Sequence, residues 1–270
     1  MTTEATPEET FSFTALKAAA LRAARGKRSR PSVARYLLEL EPRLFDLQDR
    51  LLSGIWKPSR PWRLDVLDPK PRHISVMPFE DRIVHQALTA VLEPRQERSL
   101  IRDTYACRKG AGTHAALRRA AGWARSFRYW VRLDVRRYFP SIDHEILRRQ
   151  WQRYPTEPFL AELCARILDA GECETERAYF PGDDLFTPHL RRVGLPLGNL
   201  TSQLWANGYL SLVDHLVKDR LRFRGYLRYM DDMWLFADDR THLTETARRV
   251  EDVLRHGAYT AVNGCEAERK

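Results

Sequence analysis

The sequence predicts an α+β fold, on three observations. Apolar residues in the N-terminal third recur every three to four positions, the spacing of one helix face. Short β-branched and aromatic runs follow in the second half, some interrupted by a lone carboxylate. With 43% hydrophobic and 30% charged residues, the 270-residue chain can bury one large core or two contiguous subdomains.

The elements read in order as follows. Residues 11–24 are rich in Ala and Leu, and a basic GKRSR break separates them from residues 33–52, where Tyr36, Leu37, Leu40, Leu44 and Leu47 keep helical spacing. Two amphipathic helices are expected. Residues 63–76 alternate around a Pro-containing turn, which predicts a basic hairpin, and helical periodicity resumes over 79–92. The turn Arg108-Lys109-Gly110-Ala111-Gly112 is a weak phosphate-cradle pattern and reads as a connector, with Thr113 as N-cap of a helix to about residue 124. Residues 129–143 open as a strand-like run that Asp134 ends or interrupts, and the chain beyond turns through Phe139-Pro140 into a helix expected to begin near Asp143. Within 151–193 one helix is expected at 158–170, in what reads as a variable insertion, and the last helix spans 243–254.

Charge and composition narrow the class. Lys+Arg number 45 against 36 Asp+Glu, a net +9, which favours a polyanionic partner. Cys107, Cys164, Cys173 and Cys265 form no C-x-x-C pair, which argues against a zinc knuckle or a disulfide framework. No apolar run approaches the ~20 residues that cross a bilayer, and the first ten residues, MTTEATPEET, are acidic rather than signal-like. A soluble cytoplasmic protein with no membrane partner is expected.

The chemistry concentrates in the stretch RYMDDMWLF, residues 228–236. Strand formers flank Asp231 and Asp232 on both sides, so the pair sits where a tight hairpin would turn. An Asp-Asp turn is ordinarily only a turn. Here a third carboxylate, Asp134, interrupts the strand YWVRLDV. Three carboxylates on neighbouring strands suit two Mg²⁺ or Mn²⁺ ions about 3.5–4 Å apart, the arrangement that serves nucleotidyl transfer.

Five blocks in order, RHISVMPFEDRIVHQAL, YACRKGAGTHAAL, VRLDVRRYFPSIDH, GLPLGNLTSQLWANGYL and YLRYMDDMWLFADD, resemble the fingers-to-palm blocks of prokaryotic reverse transcriptases, over about residues 60 to 240. The resemblance implies a right-hand polymerase with helical fingers over 1–128 and an antiparallel-sheet palm over 129–270. It implies Asp134, Asp231 and Asp232 as catalytic residues and, with Val135, as ligands of two Mg²⁺ or Mn²⁺ ions, Asp134 and Asp231 being the principal ones and Asp232 supporting them. It also implies nucleotide-binding roles for Lys70 and Arg72, which match residues that grip the triphosphate, and for Val135, Leu197, Gly198 and Gln203. Phe139 matches the bulky residue that crowds the sugar 2′ position; the alternative is a core phenylalanine. Arg108 would line the template or nucleotide channel. Arg136, Arg137, Arg148 and Arg149 fit either backbone contacts or a solvated face.

Leu197, where many relatives carry Gln, and Ser202-Gln203 in place of Ser-Pro are similar to the reverse transcriptases of diversity-generating retroelements. Those enzymes copy a template RNA with frequent errors at adenines, beside a small basic accessory protein. Antiphage-defence reverse transcriptases, which copy a structured noncoding RNA, share parts of this block. The implied partners are RNA template and primer, nascent DNA and deoxynucleoside triphosphates. After 243–254 the resemblance leads one to expect a Leu-Asn-x-x-Lys-like strand, a primer-grip hairpin and a helical thumb; HGAYTAVNGCEAERK shows none of these, so either a truncated or fragmentary polymerase is expected, or a partner protein or structured RNA that holds the duplex. Of the competing readings, a non-catalytic RNA-binding scaffold has no need of the three aspartates, and a palm-fold cyclase has no use for the basic hairpin.

Overall fold

The computed structural model describes residues 5–68, 70–151, 157–171, 179–180, 183–257, 262–263 and 267–269. In chain order the elements are α1 (Pro7–Thr10), α2 (Phe13–Ala24), α3 (Pro31–Leu38), α4 (Leu40–Leu52), β1 (Trp62–Asp68), β2 (Lys70–Val76), α5 (Phe79–Ser99), α6 (Thr113–Ser126) and β3 (Tyr129–Val135). There follow α7 (Tyr138–Ser141), α8 (His144–Trp151), α9 (Pro158–Ala170), α10 (Thr187–Leu190), α11 (Leu200–Tyr209) and α12 (Ser211–His215), which continues into a π-helical turn over Leu216–Arg220. β4 (Gly225–Tyr229), β5 (Asp232–Ala237), α13 (Arg240–Gly257), β6 (Val262–Asn263) and β7 (Ala267–Arg269) complete the set.

The mixture is the α+β composition expected, with four local departures. The helix read over 33–52 breaks at Glu39, whose φ of −113° leaves α3 free to bury Val33 and Tyr36 while α4 buries Leu44, Leu47 and Leu51. The helix read to residue 92 runs through Pro94 to Ser99; the carbonyl that Pro94 leaves without a donor belongs to Ala90, which is exposed and can take water. Thr113 is not an N-cap: Gly112, at φ 106°, holds that position, and the Thr113 hydroxyl lies 3.1 Å from that of Tyr229. Near the C-terminus, β6 and β7 both pair antiparallel with β3, strands that the sequence reading lacks.

Two compact units emerge, and they interleave along the chain. The first comprises residues 1–95, 148–172 and 196–203; the second comprises 96–147, 173–195 and 204–270. In the first, Leu16, Ala19 and Ala20 of α2 and Leu44, Leu47 and Leu51 of α4 are buried. α9 contributes to this core, burying Leu160, Leu163, Cys164, Ile167 and Leu168. Phe159 meets Phe11 edge-on at 6.4 Å, and Arg166 donates to the carbonyl of Gly54 at 2.7 Å. β1 and β2 form the expected hairpin, in register from Trp62 with Val76 to Asp68 with Lys70.

The second unit holds a sheet of order β4-β5-β3-β6, with β7 also on β3. Alternation sends Val131, Leu133 and Val135 of β3, with Met233 and Leu235 of β5, into the core. α13 packs against β3 and β5 and buries Leu243, Ala247, Val250 and Leu254. On the opposite face Trp123 of α6 packs with Leu227 and Phe236. No helix among the described residues is long and apolar enough to cross a membrane.

Gly225 shows how closely β4 and β5 approach. A Cβ there would lie 2.2 Å from the carbonyl oxygen of Phe236, whereas one on Gly122 in α6 meets nothing within 4 Å. Gly225→Ala is therefore expected to lower stability in urea unfolding by about 1–3 kcal/mol, and Gly122→Ala to raise it by about 0.5–1 kcal/mol through helix propensity.

Candidate active site

The hairpin that carries the acidic pair is anchored from beneath. Tyr229 pairs with Asp232, so Met230 and Asp231 form a two-residue turn, and Met230 takes a left-handed φ of 57° that costs an L-residue about 1–2 kcal/mol. Arg228, wholly buried, compensates. Its Nε and Nη2 donate to Asp214 at 2.8 and 2.7 Å, and Nη2 also donates to the carbonyl of Asn207 at 2.9 Å. Nη1 donates to Asn207 Oδ1 at 3.1 Å and to the carbonyl of Met230, in the turn itself, at 2.8 Å. All five guanidinium donors are used. The Asp214 carboxylate is completed by the hydroxyls of Thr104 at 2.9 Å and Tyr226 at 2.7 Å. Burial opposes the charge on Arg228, but the adjoining Asp214 outweighs it and holds the guanidinium protonated.

Above this anchor two of the carboxylates, Asp134 and Asp232, share one sheet face. Asp134 pairs with Asp232 and Arg132 with Trp234, so residues 132 and 134 of β3 and 232 and 234 of β5 point the same way. Arg132 answers the charge: its Nε and Nη2 donate to Asp232 Oδ1 at 2.8 and 2.5 Å, and its guanidinium lies 5.7 Å from the Trp234 ring centre. The hydrogen bonds it donates to Asp232 raise the pKa of Arg132, and the charges of Asp232, Asp134 and Asp231 add to that. Asp231 is left with the surplus. Burial, opposed by a backbone hydrogen bond but reinforced by Asp134 and Asp232, pushes its carboxyl up to about 6. Among the described residues no three His, Cys, Asp or Glu side chains form a group that could hold a metal ion. Asp232 is turned to Arg132. The donor set nonetheless fits a hard divalent cation: oxygen ligands whose mutual repulsion a cation would relieve.

The other expected residues are distributed over both units. Val135 has its side chain in the core, so only its main chain is available to a ligand. Phe139 is half-buried in α7, its ring edge-on to Tyr138 at 5.8 Å, and its carbonyl accepts from Leu195 N–H at 2.8 Å. In the first unit the carbonyl of Leu197 accepts from Ser75 N–H of β2 at 2.8 Å, and Gly198, at φ 112°, leaves room that a Cβ would fill 2.9 Å from Ile74. The side chain of Gln203 is half-buried. Lys70 and Arg72 lie on β2, opposite Asp68 and Val66; their side chains are outside the described set. Arg108 is committed within the second unit, to Glu97 at 2.8 Å and to the carbonyls of Ile101 and Thr104 at 2.7 Å each. Neither Cys107 nor Cys164 is in a disulfide.

Sequence reasoning missed Arg132, Arg228 and Asp214. The signal for the first two was present: a lone arginine on each strand, two or three residues before a catalytic-type aspartate. Asp214, on a distant helix, gave none.

A family model described as reverse transcriptase (RNA-dependent DNA polymerase) matches residues 57–263. The COX1/OXI3 intron 1 protein of Saccharomyces cerevisiae is 24% identical over 180 residues, 65% of this chain and 20% of that protein. Protein YkfC of Escherichia coli is 26% identical over 182 residues, 64% of this chain and 45% of that protein. The chain thus spans less than half the length of these curated relatives. Among solved structures, apo telomerase from Candida tropicalis, truncated from its C-terminal domain, matches with a TM-score of 0.56 at 12% identity, over 83% of this chain and 55% of that one. Telomerase from Candida albicans with a telomeric RNA fragment matches at 0.52 and 11% identity, over 84% of this chain and 48% of that one. At such identities the likeness carries the fold alone.

The raised pKa of Asp231 makes this corner a source of instability in the metal-free chain. Asp231→Asn, which removes a repelled charge at constant shape, is expected to stabilise the metal-free protein by about 1 kcal/mol after discounting for solvent, seen as a Tm rise of about 2–4 °C. The folded chain holds the Asp231 proton more tightly than the unfolded one. Stability of the parent chain in EDTA should therefore rise as pH falls from 7 through about 6, and that component should be absent from Asp231→Asn.

Proposed function

Since this chain belongs to the reverse transcriptase family, we propose that it is the catalytic part of an RNA-directed DNA polymerase. The observation that supports this reading is the pairing of Asp134 with Asp232 on one sheet face, with Asp231 next to them in the turn of an anchored hairpin and its pKa raised by burial and by both neighbours. Asp134 and Asp231, with the Val135 carbonyl, would hold divalent ions, Mg²⁺ or Mn²⁺, and Asp232 would support them once free of Arg132. Such ions, when bound, activate a primer 3′-hydroxyl and neutralise the departing pyrophosphate.

The remaining roles belong to the chain's own side chains. Phe139 crowds the sugar 2′ position and so selects deoxynucleotides by bulk. Lys70 supplies a point charge and Arg72 a bidentate fork for the triphosphate. Leu197, with its main chain fixed by Ser75, offers the nascent pair apolar contact where a glutamine would orient it, and Gly198 and Gln203 complete the nucleotide contacts. Template RNA, primer, nascent DNA and deoxynucleoside triphosphates are the substrates. Leu197 and Ser202-Gln203 favour error-prone copying in a diversity-generating retroelement, with a basic accessory protein or a structured RNA as partner, over an antiphage-defence role.

Primer extension on an adenine-rich RNA template tests the reading. Asp134→Asn and Asp231→Asn are expected to abolish incorporation while RNA affinity stays within about twofold, since affinity resides in basic contacts; near-normal extension by either would overturn the assignment. Phe139→Ala should raise ribonucleotide use relative to deoxynucleotide use. Leu197→Gln should lower misincorporation opposite adenine by up to about tenfold, the effect of ~1.4 kcal/mol; an unchanged error spectrum in a stable, active variant contradicts the fidelity role.

A further inference from the structure

The segment that joins α2 to α3 carries a concentrated positive charge. Between Arg22 and Arg35 stand Arg22, Arg25, Lys27, Arg28, Arg30 and Arg35 without a single carboxylate. Gly26, at φ 68°, turns the chain between α2 and α3, so that Lys27 and Arg30 come into the electrostatic field of Arg82 on α5. The acidic neighbours of Arg82 are engaged elsewhere: Glu80 accepts from Arg50 at 2.8 Å, and Asp81 from the main chain and hydroxyl of Ser59 at 2.7 and 3.1 Å. Arg82 itself lies 5.3 Å from the Phe79 ring centre, and its Nε is buried with no hydrogen-bond acceptor. A buried, charged donor without an acceptor is a costly arrangement that calls for a missing partner. Consistent with a cluster of uncompensated cations, burial and then Arg82 and Arg30 hold the Lys27 ammonium below its usual range, and burial and Arg30 do the same to Arg82.

We propose that Lys27, Arg30 and Arg82 form a binding site for phosphates of a nucleic-acid backbone, on residues that the polymerisation chemistry does not use. An anion there gives Arg82 Nε its acceptor and relieves the mutual repulsion of the three cations. Arg25 and Arg28, exposed on the same turn, extend the positive charge beyond one phosphate, which fits a strand rather than a free nucleotide. The identity of the polyanion as nucleic acid rests on the reverse transcriptase reading.

The test is binding of a fluorescent 20-nucleotide single-stranded RNA, in EDTA, across a series of KCl concentrations. Lys27→Gln/Arg30→Gln alters two partly or fully exposed residues; Arg220→Gln/Arg224→Gln, two exposed arginines elsewhere, makes the same charge change as a control. The first pair is expected to weaken binding by about tenfold near 0.1 M salt and to flatten the plot of log affinity against log salt by about 1.4, or ~0.7 for each phosphate no longer neutralised. The control is expected to change neither by more than about a third of that. Equal losses in both pairs, or none in the first, would overturn the site. So would displacement of the RNA by millimolar inorganic phosphate or dATP from the parent protein, which marks a pocket for free phosphate. Because the assay involves no chemistry, its failure would leave primer extension by the parent chain unaffected, and an inactive polymerase would leave this binding result standing.

Discussion

The buried pair of Arg228 and Asp214 is the interaction on which the candidate site depends. Burying two charges is expensive, and the Coulombic return seldom exceeds the desolvation cost by much. What the pair supplies is position. Every guanidinium donor and both carboxylate oxygens are satisfied, so the network has one geometry, and one of its bonds ends on the carbonyl of Met230 beside Asp231. The backbone of Arg228 does similar work: its N–H donates to the carbonyl of Asp103 and its carbonyl accepts from Tyr105, so the outer edge of β4 is covered where the hairpin begins. A left-handed methionine at the turn persists because the residues below it over-determine it.

The upper side of the same sheet follows the opposite logic. Below, charge is fully matched; above, Asp231 keeps a charge that burial and its carboxylate neighbours disfavour. Arg132 takes Asp232, whereas Asp231 keeps a raised pKa. Frustration of this kind lowers the stability of the metal-free fold and creates a demand for cations beside an anchored hairpin. The cluster of Lys27, Arg30 and Arg82 repeats the pattern with the sign reversed.

How far the sequence reveals this can be judged element by element. The strands around Asp134 and Asp231 announce themselves because β-branched and aromatic residues alternate about them, and the helix at 158–170 has both an N-terminal proline and a clean apolar stripe. The break at Glu39 is invisible, because helical spacing passes smoothly through it and only the two packing directions demand it. Pro94 misleads, since its local penalty falls on an exposed carbonyl. The short β6 and β7 are decided by backbone pairing with β3 rather than by their own composition. Arg228 looks like an ordinary surface residue in a strand until Asp214, 14 residues earlier and on another element, is brought beneath it. Long-range pairing of charges leaves no period in a sequence.

Replacement of Arg228 by lysine isolates the central claim, because it keeps a positive charge near Asp214 but cannot span both carboxylate oxygens and the Met230 carbonyl. Single-turnover incorporation on an RNA template, measured with cooperative unfolding and RNA affinity as controls, is the most direct test. If the pair exists to hold the hairpin, Arg228→Lys should fold and bind RNA yet incorporate nucleotides about tenfold to a hundredfold more slowly, the usual penalty for an ångström-scale displacement of a reacting group. An Arg228→Lys protein that folds and incorporates at the parent rate would contradict the account.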